Sequence, residues 1–192
     1  MNEGHGAIVL GSEAGAGIKN LTVERCLFKH TDRGLRIKSR RGRGQDSVMD
    51  NVVFRDIKME NVLTPLVINM FYFCDPDGKS DYVQNREKAK IDKRTPYLGS
   101  FTFERMTCLD AEWALGFFFG LPERPIGSIT IKDSKFTVKK NATSGYPAMM
   151  CGIDKMSKAG FIFSNVKKVT FSNVKASGYI GKKYVTEYVS SV

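Results

Sequence analysis

Two families of short alternating segments advance along this chain in step, and that shared phase limits the fold more than any other feature. The first family is Asn20-Leu21-Thr22-Val23, Asn51-Val52-Val53-Phe54, Ser100-Phe101-Thr102-Phe103, Ser128-Ile129-Thr130-Ile131 and Lys168-Val169-Thr170-Phe171. Each sets apolar residues two apart with Thr or Val between them, the period of a strand that buries one face. The second family follows the first three members after a polar turn: Leu35-Arg36-Ile37-Lys38, Leu66-Val67-Ile68-Asn69 and Leu115-Gly116-Phe117-Phe118. From Leu21 to Val52 and from Leu35 to Leu66 the step is 31 residues; from Val52 to Phe101 and from Leu66 to Leu115 it is 49. Hairpins have no reason to keep two strand positions through a long insertion. A parallel β-solenoid does, because each coil returns its strands to the same place above the last.

The step then runs 28 residues from Phe101 to Ile129 and 40 from Ile129 to Val169. The expected fold is therefore all-β: one solenoid domain over residues 1–192, with about five coils rising ~4.8 Å each. Val23, Phe54, Phe103, Ile131 and Phe171 are expected to stack inside it. Residues 75–98, with six basic and five acidic side chains, are expected to loop out sideways. No long 3.6-period stripe occurs, so helix is expected only as a turn or two within residues 83–91. Residues 178–192, carrying Tyr179, Tyr184 and Tyr188, are expected to fold over one end and cover its open edge. At the other end, Ile8 and Leu10 match Leu35 and Ile37 at a step of 27. The chain thus opens inside a coil, and we expect the C-terminal coils of a longer solenoid whose exposed N-terminal face self-associates.

Composition narrows the class of partner. With 42% hydrophobic and 26% charged residues and no apolar run of ~18, the chain reads as folded, with no membrane span expected. Thirty basic against 20 acidic residues give a net charge of +10, which favours a polyanion: nucleic acid, acidic lipid or acidic polysaccharide. Charge alone does not choose among them. Cys26, Cys74, Cys108 and Cys151 lie 48, 34 and 43 positions apart, spacings that fit neither a zinc site nor a redox pair. They are expected to be buried thiols, and no metal site is expected. Asn20-Leu21-Thr22 and Asn141-Ala142-Thr143 have the form of glycan acceptors. The N-terminus has no basic segment leading into an apolar one, so no secretory signal is read and no compartment is assigned.

Leu35 and Ile37 are expected to face inward, so Arg36 and Lys38 project together from the outer face, ~6.6 Å apart. A guanidinium fork grips a carboxylate with two hydrogen bonds while a lysine adds a point charge, a pairing that suits a ligand with repeated carboxylates. The plainer reading is two solvated cations on a sheet. The 31-residue step puts Val67 and Asn69 one coil above them. His5 lies between Gly4 and Gly6, and the 27-residue step sets it beside Asp32, a carboxylate that stabilises imidazolium. A lone histidine near a terminus is otherwise a surface residue, and His30 is read as structural. The aromatic runs Phe71-Tyr72-Phe73 and Phe117-Phe118-Phe119 are expected to be mostly core. Tyr72 is the exposed candidate for stacking on a sugar, and Asn69 a further contact.

Gly4-His5-Gly6, followed by Asp32-Arg33-Gly34-Leu35-Arg36-Ile37-Lys38-Ser39, on such a solenoid resembles the polygalacturonase family, glycoside hydrolase family 28. Gly11-Ser12-Glu13 and Cys74-Asp75-Pro76-Asp77-Gly78 are most similar to its bacterial members. The resemblance implies a right-handed parallel β-helix of the pectin-lyase-like kind. It also implies inverting hydrolysis of α-1,4-linked galacturonate in pectin, without a cofactor. In that family the histidine matching His5 assists an acidic cluster, and the residues matching Arg36 and Lys38 hold a galacturonate carboxylate. An inverting reaction needs one carboxylic acid to protonate the leaving oxygen and one carboxylate to activate water. The family takes these from an Asn-Thr-Asp motif and an Asp-Asp pair that precede Gly-His-Gly, and neither occurs in these 192 residues. The expectation is a C-terminal portion of a pectin-cleaving hydrolase, inactive alone, with no choice between endo and exo cleavage. The alternative is a non-catalytic solenoid that binds acidic polysaccharide. The basic tract Lys38-Ser39-Arg40-Arg41-Gly42-Arg43-Gly44 raises nucleic acid as a third class. One short tract between strands reads instead as a turn at the cleft rim, so no nucleic-acid partner is expected.

Overall fold

Val23, Phe54, Phe103, Ile131 and Phe171 occupy one interior column, each facing the next across a parallel ladder. The structure is a computed structural model that describes residues 1–191. One wall is built from β1 (Asn2–Gly4), β4 (Thr22–Thr31), β7 (Val52–Glu60), β10 (Ser100–Glu104) with β11 (Thr107–Ala111), and β13 (Ile126–Val138). A second wall stacks β2 (Ile8–Leu10), β5 (Arg33–Lys38), β8 (Thr64–Asn69) and β12 (Ala114–Phe119). The long β14 (Ala159–Ser177) turns the corner, pairing first with β12 and then with β13, so the two walls become one twelve-stranded sheet. A small third wall holds β3 (Ile18–Lys19), β6 (Val48–Asp50) and β9 (Tyr97–Leu98). The strand ladders are parallel throughout, as a parallel β-helix requires. Among the described residues no helix is long and apolar enough to cross a membrane.

The core is what the alternating pattern buries. Phe54 and Phe103 stack at 5.5 Å, Phe118 and Phe163 at 4.7 Å, and Phe163 meets Phe171 edge-on at 5.8 Å. The steps of 31, 49 and 27 residues hold for the pairs Thr22 with Val53, Val52 with Phe101 and Ile8 with Leu35. One step is different. Leu66 faces Gly116, not Leu115, so that step is 50 residues. The extra residue is taken up from the end of β11 into the corner that follows, where the register slips between Cys108 and Ala111 and the Leu63 carbonyl accepts from both Glu112 N and Trp113 N. Phe118 consequently points inward, while Phe117 and Phe119 stack on each other at 4.3 Å.

Four further expectations need correction. The side excursion ends before Tyr97 and Leu98, which pair with Val48 and Met49 in the third wall. Its helix, α1 (Asp81–Gln84), is a single turn and overlaps residues 83–91 only at its end. Asn85 turns extended, and the Arg41 guanidinium draws the carbonyls of Tyr82, Asn85 and Glu87 out of any helical ladder. The C-terminal segment does not fold across the end: β15 (Tyr184–Ser191) adds another parallel strand to β14. Tyr184 covers Phe171 at 4.5 Å but Tyr188 is 77% exposed, and Val192 lies outside the described residues. Of the four free cysteines only Cys108 is buried; Cys26 and Cys151 are half-buried and Cys74 is exposed.

One corner repeats a left-handed backbone. Arg25, Asp56, Arg105, Asp133 and Asn173 have φ of 55, 55, 50, 49 and 50°, one residue per coil. Arg105 forks onto Asp56 at 2.7 and 2.8 Å, and Asn173 donates to Asp133 at 2.9 Å.

Because Phe103 fills the middle of the interior column, Phe103→Ala should lower the unfolding free energy by about 3–5 kcal/mol in urea titrations. The buried pair of Arg41 and Glu123, 2.7 Å apart, gives a pH signature. Burial favours the neutral Glu123 carboxyl, but hydrogen bonds from Arg41 and nearby backbone, with the guanidinium charge, outweigh it and hold its pKa below the usual 4.5. A depressed carboxylate stabilises the fold above its unfolded pKa and loses that contribution as pH falls through the folded one. Glu123→Gln should therefore cost about 3–5 kcal/mol at neutral pH. The gap from wild type should narrow in melts recorded below pH 4.5.

Candidate functional site

Leu35 and Ile37 of β5 are fully buried, so the pleat turns Arg36 and Lys38 to the opposite face, beside Val67 and Asn69 of β8. His5 stands just before β2, and its Nδ1 is 2.6 Å from Asp32 Oδ2. An ionised carboxylate only accepts, so Nδ1 carries the proton and Nε2 is left to face a ligand or water. The pair is open, at 56% and 42% exposure, and Asp32 also lies 3.5 Å from Arg33. Gly6 has a steric role: a Cβ there would sit 2.7 Å from Val9 and 3.5 Å from the Arg36 stem. The glycine lets that stem lie across the preceding coil.

The cations share one aromatic floor. The Tyr72 ring lies 5.6 Å from the Arg36 guanidinium and 4.6 Å from Lys38 Nζ. Burial, then a hydrogen bond with Cys74, pushes the Tyr72 phenol up to about 12, so it stays protonated. Burial also lowers the pKa values of Arg36 and Lys38, and the proximity of Arg36 adds to the effect on Lys38. Neither cation has an ion pair among the described residues. The adjacent carboxylates are engaged elsewhere: Arg43 takes Glu13 at 2.6 Å and also binds Asp75 and Ser12, while Arg40 takes Asp75 and Asp77 at 2.7 and 2.8 Å. Arg43 thus ties together two motifs that are distant in sequence, Gly11-Ser12-Glu13 and the Cys74–Gly78 stretch.

The face is covered, which the sequence reading did not anticipate. Arg36 is only 5% exposed and Tyr72 8%, so Tyr72 is not the exposed ring expected, and Asn69 is buried too. The cover comes from residues 139–158, between β13 and β14. Arg36 donates to Met149 Sδ at 2.8 Å, Asn69 Nδ2 to the Met149 carbonyl at 3.1 Å, and Arg33 to the carbonyls of Tyr146 and Pro147. Burial leads the lowering of the Arg33 pKa to about 10, with Arg36 adding to it. The signal available in the sequence was the 40-residue step before Val169, twelve residues more than the 28 before it. The basic tract also differs from a free cationic rim, because Arg40, Arg41 and Arg43 are all spent on internal carboxylates. His30, read as structural, is exposed at a left-handed corner (φ 53°) beside a cavity of about 260 Å³ that Asp32 and Glu112 also line.

Comparison with known proteins places this arrangement. The family model for glycosyl hydrolases family 28 matches residues 1–87, the stretch that holds His5, Asp32, Arg36, Lys38, Asn69 and Tyr72. Over those residues the chain is similar to glycosyl hydrolases family 28. It is 35% identical over 91 residues to an exo-poly-alpha-D-galacturonosidase of Dickeya chrysanthemi, covering 47% of this chain and 15% of that protein. It is 32% identical over 142 residues to a polygalacturonase of Prunus persica, covering 72% of this chain and 33% of the relative. An exopolygalacturonase of Arabidopsis thaliana is 42% identical over 55 residues, 29% of this chain and 12% of the relative. The chain therefore spans a third or less of the length of these relatives. No solved structure matched. The covering segment at 139–158 lies outside the residues that the family model matches.

His5 and Asp32 form an exposed pair, and such pairs contribute ~0–1 kcal/mol. His5→Ala should leave the thermal midpoint almost unchanged in calorimetry, which makes that variant a clean probe of ligand binding; Asp32 differs because it is also the ion-pair partner of buried Arg33.

Proposed function

We propose that this chain supplies the carboxylate-gripping side of a pectin-degrading glycoside hydrolase that acts on α-1,4-galacturonide. The observation that carries the reading is the placement of Arg36 and Lys38 over one Tyr72 ring, without a carboxylate of their own, in the stretch of the solenoid that matches the family 28 model. A cation pair that the protein does not neutralise has its strongest partner in an anionic ligand. Polygalacturonate presents such a carboxylate on every sugar. His5 adds an imidazole with Nδ1 fixed by Asp32, so Nε2 is the atom left to polarise or hydrogen-bond the group at the reacting centre. The similar proteins, a galacturonosidase and two polygalacturonases, support the same substrate class.

These 192 residues contain neither an Asn-Thr-Asp nor an Asp-Asp sequence to serve as general acid and base. Inverting hydrolysis without both groups loses its differential stabilisation of the transition state. We infer that the 192-residue polypeptide binds galacturonide but does not cleave it. That observation also favours the second reading, a non-catalytic solenoid for acidic polysaccharide. Exposed Val9 and Leu27 on the first coil, next to the unpaired edges of β1 and β2, support self-association. Sedimentation across a concentration series should show a rising average mass.

Binding of trigalacturonate, measured by calorimetry, should weaken at least tenfold in Arg36→Ala/Lys38→Ala, since a charge-assisted hydrogen bond contributes ~1.5–3 kcal/mol. Equal affinity in the double variant removes the assigned role. Reducing ends should not appear from polygalacturonate above the level given by that variant; release above it shows that the polypeptide is a complete catalyst.

A further inference from the structure

We propose that residues 146–151 form a built-in competitor for the anion site at Arg36, a strap that must lift before an acidic sugar can bind. The inference rests on the reading of Arg36 as the carboxylate grip and adds the regulation of that site. Its first support is a mismatch of partners. A guanidinium is a fork of five N–H donors, and a thioether is among the weakest acceptors a protein has. Charges removed from water are normally paired, yet the side-chain hydrogen bond of buried Arg36 goes to Met149 Sδ. A carboxylate brought to the same place would satisfy the fork far better.

The second support is that the strap takes up the polar groups of this face one after another. Arg33 holds the carbonyls of Tyr146 and Pro147, and Asn69 holds that of Met149. Gln84 Oε1 accepts from Cys151 N at 2.9 Å, and Arg86 donates to the Cys151 carbonyl at 2.7 Å. These are side-chain contacts. The backbone pairing of the excursion lies at its neck, where Gly145 and Met156 form an antiparallel bridge. The neck is pinned by packing as well: a Cβ on Gly145 would come within 2.3 Å of the Trp113 indole. Trp113 Nε1 donates to Thr143 at 3.1 Å. A fixed neck, and a tip held by side-chain bonds and by the packing of Ala148 and Met150 against the core, make a hinged cover. Apparent affinity for any anion at Arg36 is then reduced by the fraction of time the tip is lifted.

The test uses the whole chain and two readouts. Phenylglyoxal labelling of Arg36, followed by peptide mass spectrometry, should be slow in wild type and about tenfold faster in Met149→Ala. Trigalacturonate should bind Met149→Ala about tenfold tighter than wild type and should fail to bind Met149→Ala/Arg36→Ala. Arg33→Met, which releases the tip from the other side, should also speed Arg36 labelling and decides the matter if Met149→Ala does not fold. Unchanged labelling in a folded variant overturns the strap. Faster labelling with unchanged trigalacturonate affinity overturns the competition. Faster labelling when no form of the protein binds trigalacturonate keeps the strap as a cover and removes the galacturonide reading alone.

Discussion

Parallel pairing of each coil on the next is the constraint on which everything else rests. Inter-strand hydrogen bonds fix the coils ~4.8 Å apart, so a side chain has the equivalent side chain of the next coil as its nearest neighbour. Inside, this produces the column from Val23 to Phe171. Outside, it produces rows, and Lys38, Asn69, Phe119, Ser164 and Glu187 form one such row. The site is thus a property of the stacking, since no single loop contains it.

How much of this was legible follows from where the information sits. The interior column and the pairing of His5 with Asp32 were readable because both depend on register, and register leaves equal steps in the sequence. The slip to Gly116 was not, because one residue absorbed at a corner changes a step of 49 to 50 without altering any strand's own pattern. The burial of Arg36 and Asn69 was hidden for a different reason. It depends on residues 146–151, far along the chain, whose carbonyls and sulfur carry no periodic signal. The fates of Arg40, Arg41 and Arg43 were equally invisible, since a run of arginines reads the same whether its carboxylates are in solvent or, like Glu123, 82 positions along the chain.

These pairings change the meaning of the net charge. A surplus of +10 describes the whole chain, but several arginines of the basic tract are consumed in holding loops to the solenoid. Lys38 at the head of that tract and Arg36 just before it remain without a carboxylate partner among the described residues. The same accounting explains why the excursion holding α1 stays ordered despite little backbone pairing: Arg41 gathers three of its carbonyls while gripping Glu123.

The left-handed corner carries one more consequence. Its occupants alternate in sign from Arg25 to Asp56 to Arg105 to Asp133, each above the last. Removing a single storey of the array would set Arg25 against Arg105, and a sideways slip by one storey would bring like beside like along the whole column. Like charges directly opposite are unfavourable. The column therefore favours the observed succession of storeys over a displacement by one, a discrimination that the shared shape of the storeys does not supply.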